Sequence, residues 1–332
     1  MSEKNYYLLF IEVQDLKTNA IFIQNKNNIN ALIESCKFTN VITNIPTQKN
    51  GAYNDTRAGT IFFEIGDSNC IINRCMAFKC YNKIVPSEYY YDGGQFATIR
   101  FARNQILVTS IVSSSDQSYG VSPFRSRDTS GNYTCLNISN CKSYDSALFT
   151  VFPGESDYIK YSLFDGNSAT KSDSKGISVL YNGKFTIRQC IFTQNSLKIF
   201  IYARLATNVV IEECNFAENR NENYLAYAVR GRDGRLYGYS KIIVSNCYFK
   251  DSNTRNYADY GATVSFDNKN NASIKDRVLA IMCNALHPHI ISGIIKYQKV
   301  NAKLGKKVNV ALRKGVLPNL NLIKFAYIRN IK

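Results

Sequence analysis

The chain has 332 residues, 45% of them hydrophobic and 20% charged, ordinary for a folded protein that buries a core. Trp is absent and Pro numbers only 6, while Tyr and Phe number 23 and 19, a balance that favours strands over helices. The formal charge of +16 points at first to an acidic partner, yet ten of the 41 Lys and Arg and none of the 25 Asp and Glu lie in residues 278–332. The first 277 residues therefore carry only +6, which disfavours nucleic-acid binding as the main activity.

The chain opens MSEKNYYLLFIEVQ, with an acid at Glu3 and a four-residue apolar run before Glu12, which is not the long apolar core of a secretory leader. Residues 1–29 read as an N-terminal cap or partial coil. From about residue 30 a degenerate repeat begins, with the template IxxCxFxxN. Its best copies are Ile159 to Asn167 (IKYSLFDGN), Ile187 to Asn195 (IRQCIFTQN) and Ile211 to Asn219 (IEECNFAEN). Looser copies start at Ile33, Ile72, Leu107, Ile138 and Val244, and Ile274 opens a ninth. The central position is Cys36, Cys75, Ser110, Cys141, Ser162, Cys190, Cys214 and Cys247, at unequal steps of 21 to 39 residues. A β-helix accepts such unequal coils because its turns swell without disturbing the stacked strands.

Apolar parity defines the coil. Val209 and Ile211 alternate on one parity and Cys214 and Phe216 on the other, so the chain turns a corner between them, placed at Glu212 and Glu213. Around Cys247 the same reading puts the corner at Ser245 and Asn246. Each copy is preceded by a third apolar run: GTIFF from Gly59, FATIRF from Phe96, ALFTVF from Ala147, GISVLY from Gly176, IFIY from Ile199 and GATVSF from Gly261. The expected fold is all-β: a right-handed, single-stranded parallel β-helix of eight or nine coils with three short strands each, over residues 30–277. Residues 278–332 lose the template and the acids together, and read as a basic cap, worn coils or a tail. Asn284, His287, Pro288 and His289 interrupt the apolar stretch of residues 278–295, so no membrane span is expected there.

At Phe164 to Asn167, Phe192 to Asn195, Phe216 to Asn219 and the weak Gly261 to Val264, the chain resembles the right-handed β-helix, pectin-lyase-like superfamily. Within it, the chain is similar to the polymorphic-membrane-protein-like repeats of bacterial and protist surface proteins, marked by FxxN and GGA[ILV]. Its double Gly, Gly93 and Gly94, is followed by Gln95, so the second motif is degraded. The resemblance implies a secreted or surface protein serving adhesion or acting as a passive scaffold, with a glycan or cell-surface protein as partner.

No constellation of catalytic, cofactor-binding or metal-ligating residues stands out. Enzymes that hydrolyse polysaccharides on this fold resemble one another in paired Asp residues and a GHG segment, and this chain has neither, with His287 and His289 its first histidines. Asp92, Asp145, Asp165 and Asp173 read as turn residues solvating loops. The RGRDGR run, residues 230–235, reads as a polar loop that a carboxylated glycan would also suit. The Cys positions read as core because Ser replaces them at 110 and 162, which a metal site would not accept; neighbouring rungs approach disulfide distance, leaving their redox state open. Asn54, Asn132, Asn137 and Asn271 begin NxS/T sequons. The expected function is a non-catalytic binding scaffold; the alternative is a polysaccharide lyase or glycoside hydrolase of the same fold.

Overall fold

The computed structural model describes residues 4–24, 29–43, 59–82, 94–113, 122–127, 130–229, 238–267 and 323–329, apart from positions 65, 67, 101, 103, 109, 155, 253 and 260. These residues form a right-handed parallel β-helix. One sheet of 19 strands bends along its length into a long row and a short row, and a second sheet of 11 strands closes the coil. A representative turn runs from Lys175–Leu180 in the closing sheet to Gly183–Arg188 in the long row and Ile191–Thr193 in the short row. It then re-enters the closing sheet at Ser196–Arg204. Every strand pairs in parallel with its counterparts in adjacent coils, except that Ile323–Arg329 runs antiparallel to Lys4–Gln14. Lys4–Gln14 pairs with both Ile29–Glu34 and Lys37–Thr39, so residues 4–24 already make a turn of the stack.

Two sharp corners give the coil its shape. Each is made by one residue in the left-handed region, five positions apart: Ser35 and Asn40, Arg74 and Lys79, Gln189 and Gln194, Glu213 and Glu218, Asn246 and Asp251, with φ between 50° and 55° save for Glu218 at 56°. Of the equivalent residues, only Gly166 is a glycine, so each of the others carries a backbone cost on the order of 1 kcal/mol. Side-chain parity flips at each corner. Val209 and Ile211 point inward, then Cys214 and Phe216, then Asn219, and all five are buried. The two residues between strands are Glu213 and Cys214 rather than Glu212 and Glu213, because the ladder holds Glu212 through its pairing with Arg188 and Ser245.

The residue after most left-handed corners caps a carbonyl, although Val41 and Leu136 hold that place without a donor. Cys190, Cys214 and Cys247 direct Sγ at the carbonyl two residues earlier, each at 3.3 Å, and Ser162 donates to the carbonyl of Lys160 at 2.9 Å. Cys and Ser interchange here because both are small donors. At the second corner the capping residues Asn167, Asn195 and Asn219 form a buried ladder. Asn195 Oδ1 accepts from the backbone N–H and side-chain amide of Asn167, both at 3.0 Å, and Asn195 Nδ2 donates to the carbonyl of Phe164 at 2.9 Å. Asn219 serves Asn195 in the same way, and Ser252 continues the column. Between the corners Phe164, Phe192, Phe216 and Phe249 stack with centroids 4.9, 4.9 and 5.1 Å apart, and Phe200 meets Phe192 and Phe216 edge-on.

Two sequence assignments shift in register. Ile138 pairs with Phe164, so Cys141 aligns with Asn167 at the second corner, and Leu136 is the residue that aligns with Ser162. Both corners use the same capping chemistry, and Cys141 donates to the carbonyl of Ser139 at 3.5 Å as a first-corner Cys would, which makes the two corners alike in sequence. Similarly, Thr263–Phe266 joins the long row beside Lys241–Ser245, and Asn256–Ala258 is the closing-sheet strand of that coil. The copy opening at Ile274 lies outside the described residues.

The interior also holds one polar tier. Gln105, Gly131 and Asp157 occupy the same long-row position on successive coils. A Cβ at Gly131 would collide with the Tyr133 hydroxyl, so glycine leaves room for that hydroxyl, which bonds with Gln105. Asp157 is 2% exposed, accepts from the backbone of Gly131 and Gly154, and among the described residues has no partner for Oδ2. Burial pushes its carboxyl up to about 6 against those hydrogen bonds.

Two outcomes test this frame. Asn195→Ala strands the Asn167 N–H and the Phe164 carbonyl, and a loss on the order of 3 kcal/mol is expected in chemical denaturation, with Asn195→Ser milder. For Asp157 the folded-state carboxyl binds its proton more tightly than the unfolded one, so its contribution is most favourable below pH about 4 and is lost as pH rises to about 6. Asp157→Asn is therefore expected to match the parent near pH 4 and to exceed it by roughly 3 kcal/mol at pH 7, read from denaturation curves across that range.

Candidate binding face

The core is filled by apolar ladders and capping groups, so chemistry available to a partner sits on outward side chains. In the closing sheet one outward column runs Phe22, Phe62, Thr98, Arg125, Thr150, Ser178, Tyr202, Tyr227 and Tyr257, one residue per coil. From Phe62 to Ser178 the column is buried, no member being more than 4% exposed, and it opens at the tyrosines. Within the buried stretch Arg100 lies 3.6 Å from Glu64, and the Arg125 and Arg127 guanidinium groups sit 5.3 and 5.7 Å from the Phe152 ring.

The open end carries the tyrosines. Tyr202 and Tyr227 have centroids 5.8 Å apart, and Tyr227 and Tyr257 stack at 4.6 Å, with Tyr224 edge-on to Tyr227 at 5.2 Å. Register-matched rings on parallel strands lie about one strand spacing apart, so they stack on one another along the coil axis and turn their edges and hydroxyls outward. Burial raises the Tyr202 and Tyr227 phenols above the ordinary tyrosine range, with Asp145 and Asp173 adding to the first, which Arg204 partly offsets, and Tyr257 adding to the second. Both stay protonated at neutral pH, able to donate and accept.

Beside Tyr202 sits a charge quartet. Lys175 Nζ lies 3.0 Å from Asp145 and 3.3 Å from Asp173; Lys171 Nζ lies 3.2 Å from each. Lys175 is also 5.1 Å from the Tyr202 ring centroid. Burial opposes the charge on Lys171, but the Asp145 and Asp173 carboxylates hold it above the ordinary lysine range. Burial likewise opposes the charge on Asp173, and Lys175 and Lys171 hold its carboxyl below the usual carboxylate range.

Asp145 and Asp173 are thus brought together from separate coils. They do not share a ladder position: Ser146 pairs with Lys175, so Asp145 aligns with Ser174, and the register shifts by a bulge between Ser146 and Phe149. Asp165 is placed elsewhere, on the short row in register with Ser139 and Thr193. Asn132 and Asn137 fall on the long and short rows. Asp92, residues 230–235, His287, His289, Asn54 and Asn271 lie outside the described residues. Nine cysteines are described, all buried free thiols. Among the described residues no group of three His, Cys, Asp or Glu side chains is placed to hold a metal ion. The tyrosine column was missed in the sequence, although its signal was present: IFIY, residues 199–202, and YLAY, residues 224–227, each end a closing-sheet apolar run on Tyr.

A family model described as a right handed beta helix region matches residues 126–287. No curated protein matches the chain. Among solved structures, the chain is similar to a double mutant of the periplasmic alginate epimerase AlgG, at 12% identity and a TM-score of 0.22, covering 74% of this chain and 70% of that one. The structure titled as AlgG itself matches at 13% identity and a TM-score of 0.19, covering 72% and 69%. At such scores the likeness conveys neither substrate nor mechanism.

The quartet makes unequal demands on its two acids. Lys175 is 9% exposed at its side chain and Asp173 is 55% exposed. Asp145→Asn is expected to lower thermal stability by an amount on the order of 1 to 3 kcal/mol, because it removes the closest counter-charge of a buried ammonium. Asp173→Asn, at the solvent edge, is expected to cost less than about 1 kcal/mol in the same melts.

Proposed function

We propose that this chain is a non-catalytic β-helix scaffold working as a surface or secreted glycan-binding module. Its binding face is the tyrosine column Tyr202, Tyr227 and Tyr257 beside the Lys171, Lys175, Asp145 and Asp173 quartet. The observation that carries this reading is the register: one outward hydroxyl-bearing ring per coil on three successive coils. Such a repeat suits a ligand that is itself periodic and rich in hydrogen-bonding groups, as an extended polysaccharide is. The likeness of the FxxN copies to repeats of surface proteins supports an adhesive role.

The electrostatics disfavour glycoside hydrolysis at this face. Glycoside hydrolysis needs one carboxyl kept protonated near neutrality and a second one free to act as base or nucleophile. Here each acid is shared by two ammonium groups, and Asp173 is held below the usual carboxylate range.

A glycan array run beside turnover assays on pectin and alginate tests the proposal. Binding without turnover is expected. Tyr227→Ala is expected to weaken that binding at least tenfold, about 1.4 kcal/mol, while leaving the melting transition largely in place. Turnover of either polymer would instead establish the lyase or hydrolase alternative.

A further inference from the structure

The glycan reading leaves the charge class of the ligand open, and the chain's overall charge of +16 suggests an acidic one. The local charge points the other way. The cations acting on Tyr202 and its neighbours are Lys171, Lys175 and Arg204, and the acids acting on Tyr202 and Tyr227 are Asp145, Asp173 and Asp259. Among the described residues these named groups are three cations and three carboxylates, with Arg255 just ahead of the Asn256–Ala258 strand. Both ammonium groups are already engaged by carboxylates within 3.3 Å, and Arg204 bonds the Tyr202 phenol. An arriving carboxylate or sulfate would have to displace Asp145 or Asp173 from a partly desolvated pair while facing their charge, which is unfavourable. A sugar hydroxyl faces no such penalty, because it donates to a carboxylate and accepts from an ammonium or a phenol at once.

Resting on the glycan reading, we infer that the ligand is an uncharged, hydroxyl-rich polysaccharide lying along the coil axis, with successive sugar units meeting Tyr202, Tyr227 and Tyr257. Recognition comes from phenol hydroxyls and from the free lone pairs of Asp173, the most exposed member of the quartet at 55%. Binding of this kind does not release counterions in proportion to ligand charge, so it resists salt.

The test uses the full chain in affinity electrophoresis against neutral polymers (a β-glucan, a xylan and a mannan) and acidic ones (polygalacturonate, alginate and heparin), at low and at high sodium chloride. Retention by at least one neutral polymer is expected, with an affinity that changes less than twofold between the two salt conditions. Tyr227→Phe keeps the ring stack and removes one hydroxyl, and a loss of affinity of several-fold is expected with the fold intact by circular dichroism. Asp173→Asn leaves the quartet with a net positive charge and is expected to create a new, salt-sensitive affinity for polygalacturonate. Retention by acidic polymers alone, abolished by salt, would overturn this inference and leave the glycan reading standing. Retention by none of the six, or by a peptide ligand instead, would overturn both.

Discussion

The structure depends on a one-residue left-handed corner, used twice per coil and followed in most coils by a small capping side chain. Where the strand turns, its last carbonyl accepts from the corner N–H of the preceding coil, as Glu212 does from Gln189 at 3.1 Å, so the bend is tied into the stack. Cys or Ser at the first corner, and Asn, Cys or Ser at the second, add a side-chain donor to a nearby carbonyl. Because the corner residues are almost never glycine, local preference does not select the bend. It persists because the coils above and below hold it in register.

Register then determines everything that a partner meets. Side chains at one position of successive coils lie about a strand spacing apart, so the same stacking that aligns Phe164, Phe192 and Phe216 inside aligns Tyr202, Tyr227 and Tyr257 outside. The inward column excludes water and stabilises; the outward one repeats a hydroxyl at regular intervals. A binding face on this fold is therefore a periodic surface rather than a pocket. The Lys and Asp quartet at its edge is itself charge-balanced although the whole chain is basic.

One interior tier departs from the apolar rule. Gln105, Tyr133 and Asp157 place polar groups where other coils carry apolar residues such as Cys70, Phe185, Val209 and Ile242, and among the described residues one Asp157 oxygen has no partner. The same Ile-Cys-Phe ladders that stabilise the coils around this tier make its desolvation expensive, which is why the carboxyl holds its proton so tightly.

By itself the sequence determined the coil: the parity switch at the Cys position, the FxxN copies and the apolar closing runs are local patterns, and each follows from one strand having two faces and a corner changing which one points inward. It could not separate the two corners at Cys141, since both need a small donor after a left-handed residue. Nor could it place Thr263–Phe266 in its row, because an apolar run has the same composition in either sheet. The tyrosine column and its charge quartet were decided only by tertiary stacking. Asp145 and Asp173 stand 28 positions apart across a bulge, and Tyr202, Tyr227 and Tyr257 are separated by turns of unequal length, so their meeting depends on how many residues each turn absorbs. Turn length is nearly free in a β-helix, where loop closure costs grow slowly with length, and that freedom erases from the sequence the spacing that the stacked coils restore.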